Sequence, residues 1–210
     1  MQEDIILSVI NKKNTIALLP TGGGKSLCFQ IPGLVLGGTT LVVSPLIALM
    51  NDQVQNLKKK GISAVAISSA MNYKEIEIAL NNAALGHVQF LYVSPERLEN
   101  EDFRKQLSYL PITLIAVDEA HCISHWGYDF RPSYLRIAEV KDYFKDLPLI
   151  AVTASATKEV VEDIIQKLEL KKPEVFRQSF ARNNLRYVVQ LEESKNDRLL
   201  KIIKNVGGSG

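Results

Sequence analysis

A doubly wound α/β architecture, with a mostly parallel central sheet flanked by helices, is expected for this chain. Six apolar runs are continuous rather than alternating, which is how strands buried on both faces of a parallel sheet read. Between them lie stretches whose apolar residues recur at three and four, so strands and helices take turns along the chain. The two segments richest in chemistry each follow directly on an apolar run, and a doubly wound sheet gathers its ligands at the carboxyl ends of its strands.

Gln2 to Ile10 reads as an amphipathic helix. The strand Thr15 to Leu19 runs into glycines and then into Leu27-Cys28-Phe29-Gln30, which has helical character. Further strands are expected over Thr40 to Val43, Ala64 to Ile67, Val88 to Val93, Thr113 to Val117 and Leu149 to Val152, each bounded by Gly, Pro, Ser, Asp or Asn. Helices are expected over Leu46 to Lys59, Tyr73 to Leu85, Tyr134 to Phe144 and Lys158 to Leu168. From Arg182 the pattern changes. Asn183-Asn184 reads as a turn, Leu185 to Leu191 alternates like a strand, and Asn196 to Asn205 resembles a short helix with no strand after it. We therefore expect a folded domain over residues 1–181 and a connector over 182–210, an excised piece leading toward something further.

The 210 residues suffice for one well-filled core, and a 46% hydrophobic content excludes a disordered chain. A net charge of +2 neither requires nor excludes a polyanionic partner, because a basic groove can be offset elsewhere on the surface. Cys28 and Cys122 lie far apart without metal-ligand spacing, which fits small core residues in a reducing compartment. No apolar run approaches bilayer length and the amino terminus lacks signal-peptide character, so a soluble, intracellular protein without a membrane partner is expected.

Pro20-Thr21-Gly22-Gly23-Gly24-Lys25-Ser26 has the composition of a phosphate cradle. Glycines let backbone N–H groups curl around the β-phosphate, Lys25 neutralises the β/γ oxygens, and the Ser26 hydroxyl is suited to Mg²⁺. Leu19 stands where the generic pattern has its first glycine, so the match is to a variant of that loop. About ninety residues on, Asp118 and Glu119 close the apolar run from Ile112 to Val117. An Asp at a strand end can hold Mg²⁺ through water, and the adjacent Glu can polarise the water that attacks the terminal phosphate. The two motifs in this order imply a nucleoside triphosphatase that uses Mg²⁺.

Further along lies Asp118-Glu119-Ala120-His121-Cys122-Ile123-Ser124-His125-Trp126-Gly127-Tyr128-Asp129-Phe130-Arg131-Pro132. Alternate aromatics beside an arginine, in a segment broken by Gly127 and Pro132, suit a stacking platform for unpaired bases. The bland alternative is a loop whose aromatics plug the core. This segment resembles the DEAH box and aromatic-rich loop of RecQ helicases, a family of superfamily 2. Ser44-Pro45-Leu46-Ile47-Ala48-Leu49-Met50-Asn51-Asp52-Gln53 resembles that family's motif Ia, Tyr92-Val93-Ser94-Pro95-Glu96-Arg97-Leu98 its motif Ib, and Thr153-Ala154-Ser155-Ala156-Thr157 its motif III. The pattern departs at His125, where Gln is usual, at Tyr128, where His is usual, and at Ser155, where Thr is usual. Of the adenine-recognition motif only its glutamine, Gln2, has a counterpart.

The resemblance implies a RecA-like three-layer sandwich, the first of two motor domains in an ATP-dependent DNA helicase that unwinds 3′ to 5′. It implies nucleotide contacts from Gln2, Thr21, Gly22, Gly23, Gly24, Lys25 and Ser26, and Mg²⁺ held by Ser26 and Asp118. It implies catalytic roles for Lys25, Asp118, Glu119 and His121, and DNA binding or coupling through Ser44, Arg97, Trp126, Phe130, Arg131, Thr153 and Ser155. The partners implied are single-stranded and partly duplex DNA and a second RecA-like domain of the same polypeptide. The compartment implied is the bacterial cytosol or nucleoid, or the nucleus in a eukaryote. Two other classes remain open: a non-hydrolytic ATP-binding scaffold, and an RNA-directed or duplex-translocating ATPase on the same core. His87 reads as a surface loop residue, and Lys58-Lys59-Lys60 as a solvated helix end favoured by the helix dipole.

Overall fold

The computed structural model describes residues 1–178, 188, 189 and 191–206. Chain contacts divide it into two compact units, Met1–Phe180 and Ala181–Gly210. The first contains a seven-stranded sheet in the order β3-β4-β2-β5-β6-β1-β7, and every strand pair in it is parallel. The strands are β1 Thr15–Leu18, β2 Thr39–Val43, β3 Ala64–Ile67, β4 Phe90–Val93, β5 Ile112–Val117, β6 Leu149–Thr153 and β7 Glu174–Arg177. The helices of this unit are α1 Gln2–Ile10, α2 Leu27–Leu36, α3 Ile47–Lys59, α4 Tyr73–Ala84, α5 Glu101–Leu107, α6 Arg136–Asp142 and α7 Lys158–Lys167.

Continuous apolar strands produce this arrangement because both faces of the sheet are covered. Alternate strand residues feed two separate cores. Ile16, Leu41, Leu91, Ile115 and Ala151 pack with Ile76 of α4, Phe103 of α5, Ile137 of α6 and Ile164 of α7. On the opposite face Ala17, Val42, Tyr92, Ala116 and Ile150 pack with Ile5 of α1, Phe29 of α2 and Met50 of α3. The result is the expected three-layer sandwich.

Three elements depart from expectation. β7, pairing with β1 at the sheet edge, has only a half-buried alternation in its four residues and carries too little apolar signal to stand out. α5 is seven residues long, below the length at which helical periodicity becomes distinct, although Asn100 caps it by accepting from the Phe103 N–H. The helix expected to start at Tyr134 starts at Arg136, because Pro132 to Leu135 winds as a tighter 3₁₀ turn.

In the second unit α8 spans Lys195–Val206 and repeats leucines and isoleucines at helical spacing. The turn at Asn183-Asn184 lies outside the described residues, as does the Leu185 to Leu191 strand apart from 188, 189 and 191. Among the described residues no helix is long and apolar enough to cross a membrane.

Candidate functional site

A parallel sheet brings the carboxyl ends of all its strands to one edge, and the strand order decides which of them meet. β6 lies between β1 and β5, so Thr153 at its end stands between the glycine loop after β1 and the acidic pair after β5. Ser44 follows β2, the other neighbour of β5.

The glycine loop joins β1 to α2. Gly22 and Gly24 have φ of +80° and +74°, a region closed to ordinary side chains, and this turns the chain sharply into the helix. Gln2, the first residue of α1, donates its amide to the Gly23 carbonyl at 2.8 Å. A Cβ at Gly24 would displace that amide, but it is the positive φ that demands glycine there. Thr21 and Gly22 sit exposed at the crest, whereas Lys25 and Ser26 are half-buried below it.

Lys25 Nζ lies 3.4 Å from Glu119 Oε1. Residues ninety-four positions apart thus share one site. Asp118 is 4% exposed; Ser44 Oγ donates to its Oδ2 at 3.3 Å and the Glu119 N–H to its Oδ1 at 3.0 Å. Burial, with the neighbouring Glu119 charge, pushes the Asp118 carboxyl up to about 6, against the pull of the Glu119 N–H, Lys25 and Ser44. Glu119 moves the other way: a hydrogen bond from His121 holds it below the usual range despite partial burial, with help from Lys25. Glu119 also takes the left-handed conformation at φ +46°, costly for a residue with a side chain and typical of active sites.

His121 is buried. Its Nδ1 lies 2.8 Å from Thr153 Oγ1 and 3.3 Å from Glu119 Oε2. An ionised carboxylate can only accept, which assigns the Nδ1 proton to a bond shared by these two oxygens. Tyr128 stacks on the imidazole with ring centroids 4.5 Å apart. The residue at 128 is a tyrosine, yet it meets the acidic motif directly through its ring. Tyr134, fully buried, donates its hydroxyl to the Asp118 carbonyl at 2.9 Å. Tyr128 was expected only as one ring of the stacking platform, and Tyr134 was not expected at the site. Tyr134 carries no sequence signal beyond being one more aromatic in a helical stretch.

Four of the residues expected to bind DNA or couple to it are engaged by the protein itself. Ser44 is buried and its hydroxyl is committed to Asp118. Arg97 is half-buried and spends its guanidinium on the carbonyls of Ser68, Ser69 and Met71. Phe130 is half-buried, tilted against His125 at 3.7 Å between centroids, with Lys167 Nζ 5.7 Å from its own. Arg131 is bound to Asp129 Oδ2 and to the Pro45 carbonyl, which ties the aromatic loop to the segment after β2. The rings that stand open are Trp126, 74% exposed, and Tyr128, 78% exposed. They line a groove of about 530 Å³ whose other wall includes Ser155, Thr157 and Val160. Thr153, in contrast, is buried beneath this surface against His121.

Among the described residues no group of three or more His, Cys, Asp or Glu side chains forms a metal cage. Ser26 and the buried Asp118 are a donor set suited to Mg²⁺, which keeps waters and substrate phosphates as its remaining ligands. The raised affinity of Asp118 for a proton comes first from burial and then from the adjacent Glu119 charge, and a cation beside this carboxylate would offset both. The residues present therefore fit a magnesium-bound triphosphate.

Residues 1–164 match the DEAD/DEAH box helicase family model. The chain is 43% identical to the probable ATP-dependent DNA helicase RecS of Bacillus subtilis, over all of this chain and 42% of that protein. It is 40% identical to the ATP-dependent DNA helicase RecQ of Haemophilus influenzae, over all of this chain and 34% of that one. The chain thus spans well under half the length of these curated relatives. Among solved structures it resembles the Pyrococcus furiosus Hef helicase domain, with a TM-score of 0.63 and 23% identity over 84% of this chain and 37% of that one. It also resembles Mycobacterium smegmatis helicase Lhr bound to ssDNA and AMP-PNP, with a TM-score of 0.67 and 20% identity over 85% and 25% of the two chains. On the phosphate loop, the acidic strand end and these likenesses together, the chain belongs to the DEAD/DEAH box helicases, with RecQ helicases among its similar relatives.

Proposed function

We propose that residues 1–181 are the first motor domain of an ATP-dependent 3′–5′ DNA helicase and that 182–210 lead toward a second RecA-like domain. The observation that carries this reading is the meeting of Lys25 with Glu119 beside a buried Asp118 at the carboxyl edge of the sheet. In this reading the loop Thr21 to Gly24 wraps the phosphates with backbone N–H groups, and Gln2 supports the loop through the Gly23 carbonyl. Lys25 leaves Glu119 for the γ-phosphate when nucleotide enters. Ser26 and Asp118 would hold Mg²⁺, which when bound would supply positive charge to the phosphate oxygens. Glu119, freed from the ammonium, orients and deprotonates the attacking water.

His121 is a positioning residue, since it touches Glu119 and Thr153 rather than the reacting atoms. Single-stranded DNA stacks on Trp126 and Tyr128 in the groove beside Ser155 and Thr157. Movement of Tyr128 reaches Glu119 through the imidazole it covers. That contact is the physical link between DNA binding and hydrolysis, and Phe130 serves it by packing. A DNA-acting protein of this kind works in the cytosol or nucleoid of a bacterium or in the nucleus of a eukaryote.

The test is steady-state ATP hydrolysis by the full-length protein with single-stranded DNA, RNA and blunt duplex. Strong stimulation by single-stranded DNA alone, lost in Lys25→Ala, is expected. Equal stimulation by RNA or duplex moves the reading to another branch of the same core, and nucleotide binding without turnover moves it to a scaffold.

A further inference from the structure

We infer that Asp163, with Lys167 one turn later on α7, positions the aromatic loop by fixing the backbone at Trp126, a role that deepens the proposed coupling to DNA and rests on that reading. Ser124 precedes the loop and is fully buried. Its hydroxyl lies 2.6 Å from Asp163 Oδ2 and 3.1 Å from the Trp126 N–H. A carboxylate can only accept, so the single hydroxyl proton is committed to Asp163, and the oxygen lone pairs are left for the Trp126 N–H. The chain N–H to O–H to carboxylate is polarised in one direction, and its charge-assisted member is short.

Lys167 extends the hold. Its Nζ lies 3.6 Å from the same Asp163 oxygen, donates to the Ile123 carbonyl at 3.4 Å, and sits over the Phe130 ring. α7 therefore grips the loop on both sides of Trp126 while the indole itself stays out in the groove. The grip is continuous with the catalytic edge. α7 begins directly after Thr157, and Thr153, four residues earlier, holds His121. One stretch, residues 153–167, thus holds His121 and the aromatic loop together, so a displacement of either is felt by the other.

An ordinary partly exposed Asp–Lys pair on a helix is worth little to stability and would leave Trp126 indifferent to its loss. A restraint on the loop would not. Trp126 is the single tryptophan of the 210 residues, so its emission reads this loop alone. The measurement is Trp126 anisotropy and acrylamide quenching in the 210-residue chain, first without DNA and then during titration with oligothymidylate, with far-UV melting as the control for folding.

Asp163→Ala and Ser124→Ala are each expected to lower the anisotropy, to raise quenching, and to weaken oligothymidylate binding by about tenfold, the scale of losing one hydrogen bond to a charged group. The double variant adds nothing further, because both changes cut the same link. Asp163→Asn keeps the acceptor oxygen and recovers most of the wild-type signal. Wild-type anisotropy in both alanine variants overturns the inference, and so do additive effects in the double variant. Should Asp163→Ala fail to fold, Ser124→Ala makes the same cut from the loop side. If Trp126 of the wild-type chain ignores oligothymidylate, the DNA reading falls, while the comparison made without DNA still decides for or against the restraint.

Discussion

At the scale of single residues, the site is built from two adjacent carboxylates pushed in opposite directions by their surroundings. Asp118 is buried and its pKa rises from an ordinary 3.8 to about 6; Glu119 is held low by His121 and Lys25. An acid whose folded pKa exceeds its unfolded value binds more protons when folded. Its contribution to stability is therefore fullest below pH 3.8 and is lost as pH rises through 6. Asp118→Asn abolishes that loss, so thermal or denaturant melts without nucleotide are expected to show the variant gaining on wild type between pH 4 and 8, by up to about 3 kcal/mol. A constant difference across that range would remove Asp118 as the titrating group. If Asp118 holds Mg²⁺ as proposed, the same proton competes with the metal, and apparent metal-nucleotide affinity should fall about tenfold per unit as pH drops below 6. Glu119→Gln keeps the side-chain shape and removes the base of the proposed mechanism. In the full-length protein it is expected to lower kcat by roughly 10²- to 10⁴-fold with ATP binding retained, which single-turnover hydrolysis alongside equilibrium nucleotide binding will read.

At the scale of elements, the phosphate loop and the aromatic loop answer to different constraints. The first is a conformational device. Gly24→Ala puts a side chain at φ +74° and against the Gln2 amide, and we expect it to abolish nucleotide binding while leaving the sheet folded, as judged by circular dichroism. The aromatic loop divides its rings between two jobs. Trp126 is open and Phe130 is engaged by His125 and Lys167. Trp126→Ala should therefore depress DNA-stimulated turnover of the full-length protein far more than DNA-free turnover, at little cost in melting temperature. Phe130→Ala should lower the melting temperature by removing a packed ring, typically a loss of a few kcal/mol. If the two variants exchange these signatures, the division of labour is wrong.

At the scale of the whole molecule, the described site lies on one open edge of a single sheet, and in phosphoryl transfer a cationic group supplied from outside is worth about 10³- to 10⁵-fold in rate. The isolated 210-residue chain is expected to hydrolyse ATP feebly and to leave duplex DNA intact. Comparing its DNA-stimulated kcat with that of the full-length protein in one assay tests this; brisk turnover by the chain alone would remove the need for a second motor domain.

The layered architecture was legible in the sequence because strands buried on both faces must be apolar throughout, as Ile112 to Val117 is. The phosphate loop was legible because only glycine tolerates the turn it makes. What remained hidden are contacts between segments that no local pattern links. That Ser44 faces Asp118, that Arg97 binds carbonyls, that Tyr128 lies on His121 and that Asp163 holds Ser124 follow from strand order and helix packing. A residue's type announces what bonds it can make, and the amino acids alone settled which chemistry is available here. Its partner is set by which strands are neighbours, so the tertiary structure alone decided which side chains meet at the sheet edge, which stand open and which hold the others in place.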